Sequence, residues 1–230
     1  MAPVLDPWLA VSGFVVGTLV GLTGVGGGAL MTPLLILLFG VRPTLAVGSD
    51  LAYATLTKVV GSVQYVRRGQ VNFPYVRWLI VGSVPSSVLA VAVLAPWLAR
   101  QGFDVEHLTA RVLGAMLVGV AVLTLTESWL YAGRLRDSRV IRSRTVQKRF
   151  KEPILILGGL FIGAGVGLTS VGSGSVLMAI LLLVSELDLL VLIGTDIVHA
   201  SILLAAAGAT HWLKGNVEPV LVLADRKSVV

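Results

Sequence analysis

The sequence predicts an all-α integral membrane protein built as an inverted repeat. Each half is a glycine-broken helical hairpin followed by membrane spans, and the second half is incomplete. Three observations predict this. The 230-residue chain is 56% hydrophobic and only 13% charged, with a mean hydropathy of +0.91, whereas soluble domains carry roughly 25% charged residues. A long segment occurs twice at a constant offset of 146 (Gly21 to Gly167). Eight of the 18 basic residues lie in one run between Gly133 and Glu152.

The first copy reads Gly21–Leu–Thr–Gly–Val–Gly–Gly–Gly28, then Gly48–Ser49–Asp50, then Gly69–Gln70–Val71. The second reads Gly167–Leu–Thr–Ser–Val–Gly–Ser–Gly174, then Gly194–Thr195–Asp196, then Gly215–Asn216–Val217. Leucine and valine matches come easily in such a composition, but glycines and an embedded aspartate in register do not. Paired glycine-broken apolar segments in corresponding positions of two halves point to a transporter.

The elements follow in order. Residues 8–22 and 29–40 are short apolar stretches separated by Gly24–Gly28, and 153–168 and 174–186 are separated by Ser170–Gly174. Each interior glycine costs a helix roughly 1 kcal/mol relative to alanine. Each pair therefore reads as two half-helices folded back at a break, with Pro33 early in its half-helix. Continuous apolar stretches at 47–66, 74–98, 109–131 and 189–212 approach the roughly 20 residues that cross a bilayer. The boundaries are a first repeat over 1–132, a basic linker over 133–152 and a second, truncated repeat over 153–230. The counterparts of 74–98 and 109–131 are missing after Val217, which predicts truncation; the alternative is a partner chain covering the open face. Trp8, Trp78, Trp97, Trp129 and Trp212 fall near span ends, as an interfacial belt does.

Charge sets the orientation. The 133–152 linker and the Arg67–Arg68 loop belong on the cytoplasmic side of an inner, plasma membrane. The first 41 residues contain no Lys or Arg, which places the N-terminus outside. The N-terminus also lacks the basic start of a signal peptide and reads as mature protein. The first hairpin then enters from outside and the second from inside. The basic run is a solvated loop, not a nucleic-acid site. There are no cysteines and only three histidines, none at paired ligand spacing, so neither metal nor cofactor is expected, and the chain is not an enzyme. The expected partners are the lipid bilayer and a small anion, with a homo-oligomer as an assembly to test.

A helix starting inside the membrane leaves up to four N–H groups unpaired and aims its positive dipole end at the break. That is an anion site. The expected substrate-binding residues are Gly24, Gly26, Gly27 and Gly28 in the first break and Ser170, Gly172, Ser173 and Gly174 in the second. The competing reading gives the glycines to helix packing, and Gly13/Gly17/Gly21 and Gly159/Gly163/Gly167 have that spacing. Asp50 and Asp196 lie in apolar surroundings, where a charge costs at least roughly 2.5 kcal/mol. They are candidates for ion coupling, or for helix N-caps. Lys58, two turns beyond Asp50, is a candidate counter-charge to an acid or to the anion. His199 shares a face with Asp196, pointing to a proton relay or a plain Asp–His hydrogen bond. His211, near a span end, reads as interfacial.

The Gly-x-Gly-Gly-Gly cluster, Pro33 with its apolar helix, Ala46–Val47–Gly48–Ser49 and the closing Gly-Gln-Val and Gly-Asn-Val, with the glycine elements duplicated, resemble the sulfite exporter TauE/SafE family across nearly the whole chain. The second cluster departs from the pattern as Ser170–Val–Gly–Ser–Gly, and Asp50 and Asp196 stand where the family pattern has a small polar residue. The resemblance implies a permease for small sulfur-containing or carboxylate anions, built from two repeats. Two alternatives stay open: a cation- or proton-coupled transporter using Asp50 and Asp196, and a non-transporting membrane partner or inactive fragment.

Overall fold

The computed structural model describes residues 28–134, 151–185 and 187–217, and all of its regular elements there are helical. Four stretches are long and apolar enough to cross a membrane: Phe73–Arg100, Val105–Thr126, Lys151–Thr169 and Leu189–Leu213.

Helix α1 (Gly28–Phe39) is a short apolar helix containing Pro33. It stops at Gly40, whose φ of 65° suits glycine, while the Val41 N–H reaches back to the Leu35 carbonyl at 3.1 Å. The buried Leu35 and Val41 side chains pack beside this cap, the hydrophobic contact such a stop favours. Helix α2 (Pro43–Arg67) starts on a proline, where the lost N–H is least costly. It is 25 residues long, but Asp50, Lys58 and Arg67 interrupt its apolar face. It is therefore absent from the four apolar spans, although the sequence predicted a span over 47–66.

Helix α3 (Phe73–Leu89) is capped by Asn72, whose side chain accepts the Tyr75 N–H at 3.1 Å. After Pro85 the winding loosens to a π turn (Ala90–Leu94) and resumes as α4 (Ala95–Arg100). Helix α5 (Val105–Arg134) is capped by Asp104, which accepts the Glu106 and His107 N–H groups at 3.0 and 3.2 Å and contacts the His107 ring at 2.7 Å. The His107 contacts hold the Asp104 carboxyl below the usual carboxylate range. Glu106 in turn accepts the Thr44 N–H at 2.9 Å and the Thr44 hydroxyl at 2.6 Å. A carboxylate from α5 thus satisfies an N–H in the first turn of α2, which has no side-chain cap of its own.

Helix α6 (Lys151–Thr169) is followed by the break at 170–174 and the ten-residue α7 (Ser175–Val184). The sequence predicted two half-helices here. The first arm is instead a 19-residue helix that qualifies as a span, because Lys151 and Glu152 at its start and Thr169 at its end wind onto the apolar 153–168 stretch. Only α7 is short. Helix α8 (Leu189–Leu213) completes the described chain.

Two packing seams hold these helices together. In the first, α6 lies along α3. A Cβ on Gly159 would come within 2.5 Å of the Leu79 carbonyl oxygen, and one on Gly163 would overlap that of Ser83. One on Gly167 would meet that of Ser87 at 2.9 Å. The glycines at i, i+4, i+8 step in the same direction as their partners, so α3 and α6 run parallel. The packing reading of Gly159/Gly163/Gly167 holds; Gly13, Gly17 and Gly21 lie outside the described residues.

In the second seam α2 lies along α8. Gly48 faces Asn216 and His211, Gly61 faces Ile197, Gly208 faces Leu51, and Gly194 faces Gln70 and Tyr65. The numbers rise on one helix as they fall on the other, so the two helices run antiparallel. Buried Val47, Leu51, Ala54, Leu203, Leu204 and Ala207 belong to the core around them. The bounds of α2 and α8 differ by 146 at both ends (43 to 189, 67 to 213). Both helices end on a left-handed glycine, Gly69 at φ 67° and Gly215 at φ 72°. The next N–H returns to the helix in both, from Gln70 to the Tyr65 carbonyl at 3.0 Å and from Asn216 to the His211 carbonyl at 2.9 Å.

Candidate functional site

The break between α6 and α7 is built by two residues in left-handed backbone. Ser170 has φ 62° and Gly172 has φ 105°. For serine this conformation is strained, at a cost of order 1–3 kcal/mol. A specific contact supports it: the Ser170 hydroxyl donates to Asp50 Oδ2 at 2.6 Å. The same oxygen accepts the Thr32 hydroxyl of α1 at 2.9 Å. Asp50 therefore joins three elements, α1, α2 and the break, and is 1% exposed. It lies seven residues inside α2 (50 minus 43), so the N-cap reading does not hold. Its Oδ1 is buried and has no hydrogen-bond partner among the described residues.

A second polar layer lies two turns along α2. Lys58 Nζ stands 3.7 Å from Asp196 Oδ2, with side chains 18% and 8% exposed. Of the two acids, Lys58 neutralises Asp196, across the α2–α8 seam. At Asp50's counterpart of this position stands Leu204 (58 plus 146), so the two acids, equivalent in sequence, have unlike surroundings. Asp196 is not an N-cap either, as it lies seven residues inside α8 (196 minus 189).

His199 does not pair with Asp196. Its Nε2 meets the Ser83 hydroxyl of α3 at 2.8 Å, and its Nδ1 is buried without a partner among the described residues. The i, i+3 spacing put both residues on one face but did not fix the ring's direction. Serine at 83, rather than alanine, is explained by this bond. Ser83→Ala is expected to lower stability by about 1–3 kcal/mol by stranding a buried ring nitrogen, read as an earlier thermal midpoint in detergent. An unchanged midpoint would show the bond to be dispensable.

His211 is not interfacial: it is 4% exposed, and its Nε2 donates to the Gly167 carbonyl at 2.8 Å. That carbonyl belongs to the last turn of α6, where helical carbonyls lack partners. A carbonyl only accepts, so the hydrogen is assigned to Nε2. Trp97 and Trp212 are more than half exposed, as expected of an interfacial belt.

Of the predicted substrate-binding residues, the structure places Ser170, Gly172, Ser173 and Gly174 together in one buried turn. Gly28 begins α1, and Gly24, Gly26 and Gly27 lie outside the described residues. Lys58 is in the other layer. Sequence reasoning passed over Thr32 and Ser83. Their signal was a hydroxyl on an otherwise apolar helix, which by itself does not distinguish a site from a backbone hydrogen bond. Among the described residues no group of three or more His, Asp or Glu is placed to hold a metal ion.

Apolar spans, a broken hairpin and buried acids define a multi-pass helical membrane protein of the transporter class. The model of the sulfite exporter TauE/SafE family matches residues 9–229, and the chain belongs to that family. It is 39% identical over 209 residues to "Probable membrane transporter protein YjnA" of Bacillus subtilis (strain 168), covering 91% of this chain and 80% of that one. It is 40% identical over 80 residues to "Probable membrane transporter protein YunE" of the same organism, covering 35% and 29%. A "Probable membrane transporter protein" of Xylella fastidiosa (strain Temecula1 / ATCC 700964) is 33% identical over 115 residues, covering 49% and 41%. No solved structure matches the chain.

Proposed function

We propose that the chain is a secondary transporter of small anions in the inner membrane: sulfur-containing oxyanions, organosulfonates or carboxylates. The observation that carries this reading is the buried turn at 170–174, with α7 starting from it inside the apolar bundle. The first N–H groups of α7 lack intrahelical partners, and the helix dipole adds a partial positive charge there. Ser170, Gly172, Ser173 and Gly174 would line one side of the anion site. Gly24, Gly26, Gly27 and Gly28, as their repeat counterparts, would line the other. Lys58 serves as counter-charge: paired with Asp196, it presents no net charge to an anion passing the second layer. The names of the family and of the relatives support transport, and the family name makes sulfite the first substrate to try.

We read the chain as two oppositely oriented repeats, 1–132 and 153–230, joined by the basic linker 133–152 on the cytoplasmic face. The antiparallel packing of α2 and α8, with the reciprocal contacts Gly48–Asn216 and Gly194–Gln70, supports this reading. Such an arrangement lets one site open alternately to two faces.

The test is flux into proteoliposomes holding the purified chain, with sulfite, thiosulfate, a small alkanesulfonate and a small carboxylate offered in turn. Saturable uptake of at least one of them, inhibited by its analogues, is expected. Uptake no greater than in empty liposomes for all four contradicts the reading.

A further inference from the structure

Asp50 is the buried acid whose charge the described structure leaves uncompensated. Two hydroxyls, from Thr32 and Ser170, serve its Oδ2, and among the described residues nothing serves its Oδ1. Of the two cations on its own helix, Lys58 is paired with Asp196 and Arg67 lies in the last turn, remote from Asp50. Across the seam on α8, Asp196 is paired, His199 bonds Ser83 and His211 bonds the Gly167 carbonyl. Among the described residues α1 and α7 contain no ionisable side chain. Those of α6 are confined to its first turn, Lys151 and Glu152, at the end remote from Ser170. Glu106 of α5 is held by Thr44.

The uncompensated acid sits beside the turn assigned to the anion. Ser170 belongs to that turn and touches Asp50 directly. Two like charges about 6 Å apart at an effective dielectric of about 20 would cost about a hundredfold in affinity. An anion and an ionised Asp50 therefore do not occupy this place together at useful affinity. A metal cation would need several more oxygens than the four that Asp50, Thr32 and Ser170 supply among the described residues. A proton needs only the free oxygen.

We propose that Asp50 carries a proton that crosses the membrane with the anion. Resting on the anion-transport reading, this names the coupling ion of the same site. The proton comes from bulk water on the side where the anion enters, binds Oδ1, and returns to bulk water on the other side as the anion leaves. The Oδ2 hydrogen bonds to Thr32 and Ser170 hold the carboxyl against the break in both states. Asp196, compensated by Lys58, takes no part in the coupling and joins α2 to α8. His199 takes no part either, since its ring is turned to Ser83.

The experiment measures sulfite uptake by proteoliposomes of the full chain, with and without an imposed pH gradient. Wild type and Asp50→Asn are compared under identical conditions, so that sulfite's own titration cancels. Wild type is expected to accumulate sulfite on the alkaline side, by up to about tenfold per pH unit at one proton per anion beyond what sulfite's own titration gives. Asp50→Asn is expected to reach only the distribution that sulfite's own titration across the gradient produces. Asp50→Glu, which restores a titratable carboxyl, is expected to recover part of the accumulation, and it carries the test if the asparagine variant does not reconstitute. Sulfite distribution by wild type no different from that set by sulfite's own titration, or accumulation beyond it that survives Asp50→Asn, overturns the proton role and leaves anion transport standing. Absence of uptake of every offered anion overturns both.

Discussion

Lys58→Met is expected to destabilise the protein by about 3 kcal/mol, near the lower end of the range for stranding one member of a buried ion pair. The lysine is the cation within reach of Asp196, and both side chains are largely buried. Removing it leaves the buried Asp196 carboxylate without its cation. The gain from the pair itself is smaller than the loss on breaking it, because each charge is costly to desolvate alone. Lys58→Met combined with Asp196→Asn is therefore expected to recover most of the lost stability. Thermal unfolding in detergent for the two single variants and the double variant gives the coupling directly. If Lys58→Met alone is neutral, the pair does not stabilise the α2–α8 seam.

The second large effect is expected at the two ends of that seam. A methyl group on Gly48 would overlap the Asn216 carbonyl, and one on Gly194 would overlap the Gln70 carbonyl. Neither neighbour is a flexible side-chain tip, so the helices themselves must separate. Gly48→Ala and Gly194→Ala are each expected to cost about 1–3 kcal/mol, as overpacking of a close contact does. The two losses are expected to be similar because the positions are equivalent. Gly114 and Gly119 of α5 provide the control, since among the described residues nothing lies within 4 Å of a methyl group at either. Alanine there is expected to be neutral, or stabilising by up to about 1 kcal/mol through helix propensity. The surviving monodisperse fraction after a heat challenge ranks the four variants.

These effects show where the fold was legible in the sequence. The repeat register placed α2 and α8 because glycine, serine or threonine, and aspartate recur at fixed spacing in otherwise apolar runs. The break at 170–174 was legible because four glycines and serines interrupt a helix that hydrophobicity alone would continue. The length of α6 was not, because Lys151 and Glu152 look like linker until they are seen winding into the first turn. The partners of the polar groups were not legible either. Asp50 reaches Thr32 and Ser170, 18 and 120 residues away in sequence, and helical periodicity carries no information about such pairs. His211 was misplaced for a related reason. Nearness to a span end suggests water, but Gly48 opposite leaves room for its imidazole to be buried against Gly167. The division of labour between the two acids was hidden as well, because it depends on which side of α2 the Lys58 stem follows.

Opposite orientation of the two repeats is the claim on which the alternating site rests, and it is open to direct measurement. The chain contains no cysteine, so single cysteines report without background. Arg68→Cys and Lys214→Cys occupy equivalent, exposed positions just after α2 and α8. A membrane-impermeant maleimide is expected to label Lys214→Cys in intact spheroplasts and Arg68→Cys only in inside-out vesicles. Labelling of both from the same face would contradict the inverted arrangement.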